Sequence, residues 1–202
     1  MQSISDMEIK HFLGKNTNDI YGRYLGPIVS ISKNSNDDLE FLHVDLKNGH
    51  LVKYSAEQIM MDKDKIVIIP TWRIEAEKIK KEMNQAQKRI YALEEMLEKE
   101  EISRDIYEGL KLNQSSSINS LKGKYTESID HLKKRLNELK IQINDFSSFL
   151  VEMRAGKTNG KIQDDDYKKA LKSIEQNLNY LFFEKQDLEN YIVDLESEKN
   201  KN

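Results

Sequence analysis

The chain has 202 residues, of which 33% are charged and 38% hydrophobic, with a mean hydropathy of -0.74. This composition is too polar for one compact globule and is typical of proteins rich in exposed helix. Cysteine is absent, which excludes disulfides and thiolate metal sites and favours a cytoplasmic location. There is no signal-peptide pattern and no apolar run of the roughly 18 to 20 residues that a membrane-spanning helix needs, so we expect any membrane contact to be peripheral.

Charge is balanced along the chain. Residues 1–70 contain 8 basic and 10 acidic side chains, residues 71–202 contain 24 and 25, and the formal net charge is -3. Strong nucleic-acid binding by a single copy is therefore not expected, because it requires a basic surface.

Residues 1–70 have the pattern of a small β-domain. Short β-branched or alternating runs occur at 28–31, 39–46, 51–54 and 66–69, and they are separated by turn residues. Lys47-Asn48-Gly49 predicts a hairpin turn, since asparagine and glycine tolerate positive φ. We expect five or six strands that form a small barrel with only a modest core.

Beyond Pro70 the apolar period changes to that of a coiled coil. We predict a long helical region at 71–155, a turn at 156–166 and a C-terminal helix at 167–199, so that the last two helices form a hairpin. Uninterrupted, a helix from Trp72 to about Ala155 would span about 125 Å. The expected fold class is therefore α+β.

Apolar residues recur at alternating steps of three and four, which places them on stripes that pair with other helices. We predict that these stripes form the self-association seam of the protein. Its members are Ile79, Met83, Ile90, Leu93, Leu97, Leu132, Leu136, Leu139, Ile143, Phe146, Leu150, Leu171, Ile174, Leu178, Leu181, Leu188 and Ile192.

Two segments interrupt the seams. After Leu97 the stripe becomes polar, and Gly109 and Ser115 to Ser117 weaken helix propensity, so we expect a hinge or a chain reversal within 98–117. Residues 156–166 contain two glycines followed by Asp164-Asp165-Asp166. Three aspartates suit a helix N-terminus, where backbone N–H groups are unpaired.

No constellation of residues indicates catalysis, a metal site or a cofactor. The four histidines lack the spacing of a helical metal site, and Asp164 to Asp166 lack the remaining ligands of an EF-hand. We therefore predict that the protein is not an enzyme. Lys133, Lys134 and Arg135 form a basic cluster among acidic neighbours, for which a solvated coiled-coil flank is the favoured interpretation; DNA contact is expected only collectively, in a polymer.

Phe182 and Phe183 lie beside the seam residue Leu181 in the most apolar helical stretch. One interpretation is a seam widened by a third or fourth helix. The other is a surface for polymerisation, for a partner or for membrane.

The β-domain resembles a PRC barrel in three motifs: Leu13-Gly14-Lys15, the segment from Asp19 to Arg23, and the segment from Gly26 to Ile31. A PRC-like barrel that continues at Thr71-Trp72-Arg73 into a long coiled coil resembles the CdvA family of archaeal cell-division proteins. The resemblance covers essentially the whole chain.

This resemblance implies a self-assembling, filament-forming protein of the archaeal ESCRT-III-like division machinery, acting as a cytoplasmic scaffold at the membrane of the division site. The implied partners are other copies and ESCRT-III-like proteins, with membrane and in some cases DNA. The family's usual C-terminal binding peptide is not evident, because the last helix runs to about Glu198. Two alternatives stay open: a nucleic-acid-binding or ribosome-maturation factor with a PRC-like barrel, and a dimeric coiled-coil adaptor.

Overall fold

The computed structural model describes residues 11–46, 49–62 and 65–200, with side chains through Glu198. Lys47 and Asn48 of the predicted hairpin turn lie outside the described residues. The chain forms two compact units, each made of two separate segments. Unit 1 combines Met1–Ile74 with Ile141–Glu184, and unit 2 combines Glu75–Lys140 with Lys185–Asn202.

The first segment of unit 1 folds into a six-stranded mixed sheet. Its strands are β1 (Asn16–Asp19), β2 (Tyr24–Lys33), β3 (Leu39–Asp45), β4 (Leu51–Ser55), β5 (Ile59–Asp62) and β6 (Lys65–Ile68), and Ala56–Gln58 forms a 3₁₀ turn. The order across the sheet is β4-β3-β2-β1-β6-β5. Neighbours are antiparallel except β1 and β6, which pair in parallel, so the first and last strands of the domain lie side by side.

The β-domain has a small apolar core, as expected for about 60 residues. Alternate strand positions point inward, because successive side chains in a strand face opposite sides. Gly26 on β2 packs so closely on β3 that a Cβ atom there would overlap the carbonyl oxygen of Asp45. The buried core residues are Phe12, Ile28, Leu42, Val44, Ile59, Ile66 and Ile68.

Three long helices follow: α1 (Thr71–Glu98), α2 (Arg104–Thr158) and α3 (Asp164–Asn200). The α+β class, with a small β-domain followed by long helices and a C-terminal helical hairpin, is confirmed. The helix from Trp72 to Ala155 is not unbroken, which corrects the length of about 125 Å expected above. It ends at Glu98, and the chain reverses over Lys99–Ser103, whereas Gly109 and Ser115 to Ser117 lie inside α2.

Both reversals begin with the same hydrogen-bond arrangement. After α1, the Glu101 N–H donates to the Met96 carbonyl and the Glu100 N–H to the Leu97 carbonyl, with φ of Glu100 at 58°. After α2, Lys161 donates to Gly156 and Gly160 to Lys157 in the same way. This is the Schellman motif, in which a left-handed residue satisfies the last helical carbonyls.

Unit 2 contains most of α1, the first part of α2 and the last part of α3, and these form a bundle. Ion pairs join Glu82 to Lys124 (3.7 Å) and Glu94 to Lys111 (3.6 Å), which shows that α1 and α2 are antiparallel. Lys80 contacts Asp194 at 3.1 Å, and Glu77 contacts Tyr191. Because both positions advance by three residues, α3 runs parallel to α1.

Candidate self-association site

The predicted seam residues are distributed between both units, and each is buried or half-buried within the single chain. The buried ones are covered by other parts of the same chain. Their pairing with another copy stays a prediction. The fully or nearly buried seam residues are Met83, Leu132, Leu139, Ile174, Leu178, Leu181, Leu188 and Ile192, and the half-buried ones are Ile79, Ile90, Leu93, Leu97, Leu136, Ile143, Phe146, Leu150 and Leu171.

Glu184 is a buried site residue that the sequence pattern did not identify. The predicted stripe on α3 passed through Lys185, but the structure buries the Glu184 side chain, which is 2% exposed, and leaves Lys185 half-buried. Glu184 follows Leu181 by three residues and precedes Leu188 by four, so its position also fits the spacing of the buried stripe. A carboxylate is rarely buried without a partner, which is why sequence reasoning passed over it.

The partner of Glu184 lies in the β-domain of the same unit. The Arg23 guanidinium donates to the Glu184 carboxylate and to the Tyr180 carbonyl oxygen, the latter at 3.4 Å. It also pairs with Asp19 at 3.4 Å. Tyr180 itself lies against Gly22, where an added Cβ would come within 3.3 Å of the ring. Unit 1 therefore holds its helical hairpin against the turn between β1 and β2.

Asp19 orders that turn. Its Oδ1 accepts hydrogen bonds from the backbone N–H groups of Tyr21 and Arg23, each at 2.9 Å. Burial raises the pKa of Asp19, although the hydrogen bond from Arg23 and its charge act in the opposite direction. The carboxylate is thus held by donors that position Arg23 toward α3.

Phe182 and Phe183 are exposed on α3, at 49% and 60%. Phe183 lies about 200° around the helix from buried Leu181, at roughly 100° per residue, and so faces away from the core stripe. Gln176 and Asn179 precede Phe183 on the same outer stripe, and both are exposed and uncharged. Other exposed apolar side chains of unit 1 on helices are Ile141, Phe149 and Val151. The structure thus leaves the phenylalanine pair uncovered by a third or fourth helix of the same unit.

The basic cluster is largely neutralised by neighbouring carboxylates. Lys133 contacts Glu196 on α3 at 2.7 Å, and Arg135 contacts Glu138 at 3.2 Å. The hydrogen bond to Glu196 raises the pKa of Lys133. Lys134 is exposed. These pairings fit a solvated bundle flank and reduce the charge available to phosphates.

Within the described residues, no group of three or more histidine or acidic side chains is placed to hold a metal ion. His43 on β3 pairs with Lys53 on β4 and not with His50. In the same part of the chain, none of the helices carries an apolar stretch long enough to cross a bilayer.

The sequence is similar to those of known proteins. A family model described as a CdvA-like coiled-coil domain matches residues 71–202. The chain is also 26% identical over 178 residues to Cell division protein A of Sulfolobus acidocaldarius, an alignment that covers 88% of this chain and 74% of that protein. The family match includes α1, α2 and α3, and the pairwise alignment extends the similarity toward the β-domain. The chain belongs to the CdvA-like coiled-coil family.

Proposed function

We propose that this chain is a non-enzymatic, self-assembling protein that forms filaments and acts as a scaffold at the membrane in an archaeal ESCRT-III-like cell-division machinery. Family membership supports the division role, as does the name of the Sulfolobus relative, a cell division protein. The helical units support a structural role, because their recurring feature in sequence is a set of apolar stripes and not a cluster of reactive groups.

The exposed Phe182-Phe183 pair carries the self-assembly proposal. Two adjacent aromatic rings on an outer helix face expose a large apolar area, and contiguous exposed apolar surface on a folded chain marks interaction sites. Phenylalanine is also among the residues enriched at the centres of protein interfaces. A second copy that covers these rings would remove them from water.

The half-buried seam residues support the same proposal. In unit 1, Ile143, Phe146 and Leu150 occupy heptad positions on α2, but each remains partly open to solvent. A helix contributed by another copy would complete their burial at about 25 cal/mol per Å² of apolar surface. Self-association would therefore bury these residues more completely than the single chain does.

The proposed partners are other copies of the chain, ESCRT-III-like proteins and, peripherally, the membrane. DNA contact through Lys133, Lys134 and Arg135 is collective, since two of the three side chains already pair with carboxylates. Repetition along a polymer would add many weak phosphate contacts.

The test is high-speed sedimentation of the purified chain with electron microscopy of the pellet, with and without DNA. We expect wild type to pellet as filaments. Phe182→Ser/Phe183→Ser should remain in the supernatant, whereas Phe182→Leu/Phe183→Leu should pellet, because it keeps the apolar surface. A serine variant that polymerises like wild type would contradict the role of this pair.

The dimeric adaptor is the second candidate, and one observation favours it. Eight seam residues are already buried within one chain, so fewer remain to drive polymerisation. A discrete dimer under all conditions of the sedimentation experiment would select this function. The ribosome-maturation alternative has no such support, because two of the three side chains of the basic cluster pair with carboxylates.

A further inference from the structure

The distal part of unit 2 is a two-helix hairpin, here called the tip (residues 87–118). In the lower part of the unit, Glu198 of α3 contacts Lys80 of α1 at 3.5 Å, and its carboxylate accepts a hydrogen bond from the Tyr125 hydroxyl of α2 at 2.9 Å. Beyond Lys80, α1 continues for 18 residues, or about 27 Å at 1.5 Å per residue. The described part of α3 extends only two residues beyond Glu198. Within the described residues, the tip is therefore formed by α1 and α2 without α3 beside them.

Burial along α1 follows this change. Of the four stripe residues of unit 2 before the tip, Ala76, Met83 and Ala86 are at most 5% exposed, whereas Ile79 is half-buried. Within the tip, all three stripe residues, Ile90, Leu93 and Leu97, are half-buried. Spacing and residue type predict a core position for all seven, so the core of the tip is covered less completely than the part of α1 before it.

The tip also exposes large apolar side chains that the seam does not require. Tyr91 follows Glu77, Lys80, Asn84 and Gln87 at alternating steps of three and four, so it lies on the side of α1 that faces α3 lower in the unit. It is 69% exposed. The other exposed apolar residues of the tip are Met96, Ile106, Leu110 and Leu112, of which Leu112 is 73% exposed.

Charge is polarised along the tip. Its apex, residues 94–108, carries seven acidic and two basic side chains. The opposite end of the tip together with the adjoining residues, here called the base (residues 81–89 and 119–126), carries five basic side chains and one carboxylate. The acidic residues of the apex are Glu94, Glu95, Glu98, Glu100, Glu101, Asp105 and Glu108, and the basic residues of the base are Lys81, Lys88, Arg89, Lys122 and Lys124.

We propose that the tip docks side by side, in antiparallel orientation, on the tip of a second copy and forms a four-helix bundle with it. This arrangement continues the core of unit 2, because the second hairpin covers apolar side chains of the tip that the described part of the chain leaves exposed or half-buried. It also places each acidic apex against the basic base of the other copy. A parallel arrangement would bring apex to apex and base to base, and like charges disfavour it.

The tip contact deepens the proposed function and rests on it for its biological role. A contact between identical patches is two-fold symmetric and by itself stops at a dimer. A chain that has two different contacts of this kind, one at the tip and one at Phe182-Phe183, extends without limit. The filament then alternates between the two contacts.

The first test removes the apolar part of the contact from the full chain. Tyr91→Asp/Leu112→Asp changes two exposed residues, so the bundle should remain folded by circular dichroism. We expect the dissociation constant of the tip contact, measured by analytical ultracentrifugation in the Phe182→Ser/Phe183→Ser background, to rise about tenfold or more. Val193→Asp, at an exposed valine of the same unit, is the matched control and should leave it unchanged.

The second test exchanges charges. Glu98→Lys/Glu101→Lys reverses the apex, and Lys88→Glu/Arg89→Glu reverses the base; all four side chains are exposed. Each pair alone should weaken dimerisation, because it places like charges together. The quadruple variant should restore it, since both signs are then inverted. If the quadruple variant dimerises no better than either double variant, the antiparallel arrangement is wrong.

The outcomes separate this contact from the proposed function. If wild type forms no filaments but is a dimer that Tyr91→Asp/Leu112→Asp dissociates, the tip contact stands and the filament function fails. If the tip variant polymerises like Val193→Asp, the tip contact is wrong and the filament function stands. A Phe182→Ser/Phe183→Ser variant that is monomeric at every concentration, with the apolar side chains of its tip shielded from solvent, would show that these side chains are covered within one chain and would also overturn the tip contact.

Discussion

Units 1 and 2 join their separate segments with different chemistry. In unit 1, the hairpin is tied to the β-domain by Arg23 and by a carboxylate, Glu184, that is 2% exposed. In unit 2, the helices meet through apolar residues such as Leu139, Leu188 and Leu195, each 0% exposed, and the charged pairs lie at the surface. The stability of unit 1 should therefore fall when one of these charges is removed, and the stability of unit 2 should fall when a charge is placed in its core.

The largest effect is expected from a charge placed in unit 2. Leu139→Asp removes a fully buried side chain and buries an unpaired carboxylate, so the free energy of unfolding should fall by about 4 kcal/mol or more. Urea unfolding followed by circular dichroism measures this. Asn137→Asp adds the same charge at an exposed position of the same helix and should change little. Equal midpoints for the two variants would contradict the burial of the seam.

The burial of Leu139 also limits which substitutions can test assembly. Because Leu139 is buried within one chain, loss of self-association in Leu139→Asp would follow from unfolding of the bundle. Substitutions at exposed residues such as Phe183 or Tyr91 are the ones that separate assembly from folding.

The next largest effect is expected in unit 1. Arg23→Ala leaves the Glu184 carboxylate in place without its guanidinium, and we expect a loss of about 2 to 4 kcal/mol. Arg23→Met/Glu184→Leu should recover most of it, because an apolar pair needs no charge compensation. Lys33→Ala, which breaks an exposed pair with Asp37 in the same unit, should cost about 0.5 kcal/mol or less. If Arg23→Ala and Lys33→Ala unfold at the same urea concentration, Glu184 does not depend on Arg23.

A smaller loss of stability is expected from a hydrogen bond within unit 2. The Tyr125 hydroxyl donates to the Glu198 carboxylate at 2.9 Å, and Tyr125→Phe should cost about 1 to 2 kcal/mol at neutral pH. Burial, followed by the bond to Glu198, raises the pKa of Tyr125 above its usual value of 10.0. The stabilisation that the Tyr125 hydroxyl contributes is therefore complete below pH 10.0 and declines as the pH rises further. The phenylalanine variant should lack this component of the decline.

That difference is measured by urea unfolding at pH 8 and in increasingly alkaline buffers on both sides of the ordinary tyrosine pKa. Tyr91→Phe is the matched control, because Tyr91 is 69% exposed. A gap between wild type and Tyr125→Phe that stays constant through the alkaline range would contradict the raised pKa.

Much of the fold follows from sequence spacing, but the first reversal shows where spacing stops being informative. Gly160 ends α2 in the left-handed conformation that glycine favours, and the glycines of 156–166 indicated a turn there. Glu100 adopts the same conformation after α1, although glutamate gives no such signal. Gly109 and Ser115 to Ser117 pointed further along the chain, yet they lie within α2, because helix packing outweighs the small propensity cost of single residues.

The candidate site was predicted only in part for a similar reason. Phe182 and Phe183 were identified because they fall beside the heptad stripe, and their exposure agrees with that position. Glu184 could not be assigned, since its partner Arg23 lies 161 residues away and no local pattern links them. Heptad spacing likewise predicted apolar stripes without indicating whether the covering helix belongs to the same chain.

The division of each unit into two distant segments has a consequence for how the protein is made. Unit 1 cannot be completed until Ile141–Glu184 has been synthesised, and unit 2 must wait for Lys185–Asn202. On the ribosome, the β-domain therefore emerges long before the hairpin that covers Gly22 and Arg23. A chain truncated within α3 before Glu184 would leave both units unfinished at once, so such partial products should be removed by proteolysis before they can enter an assembly.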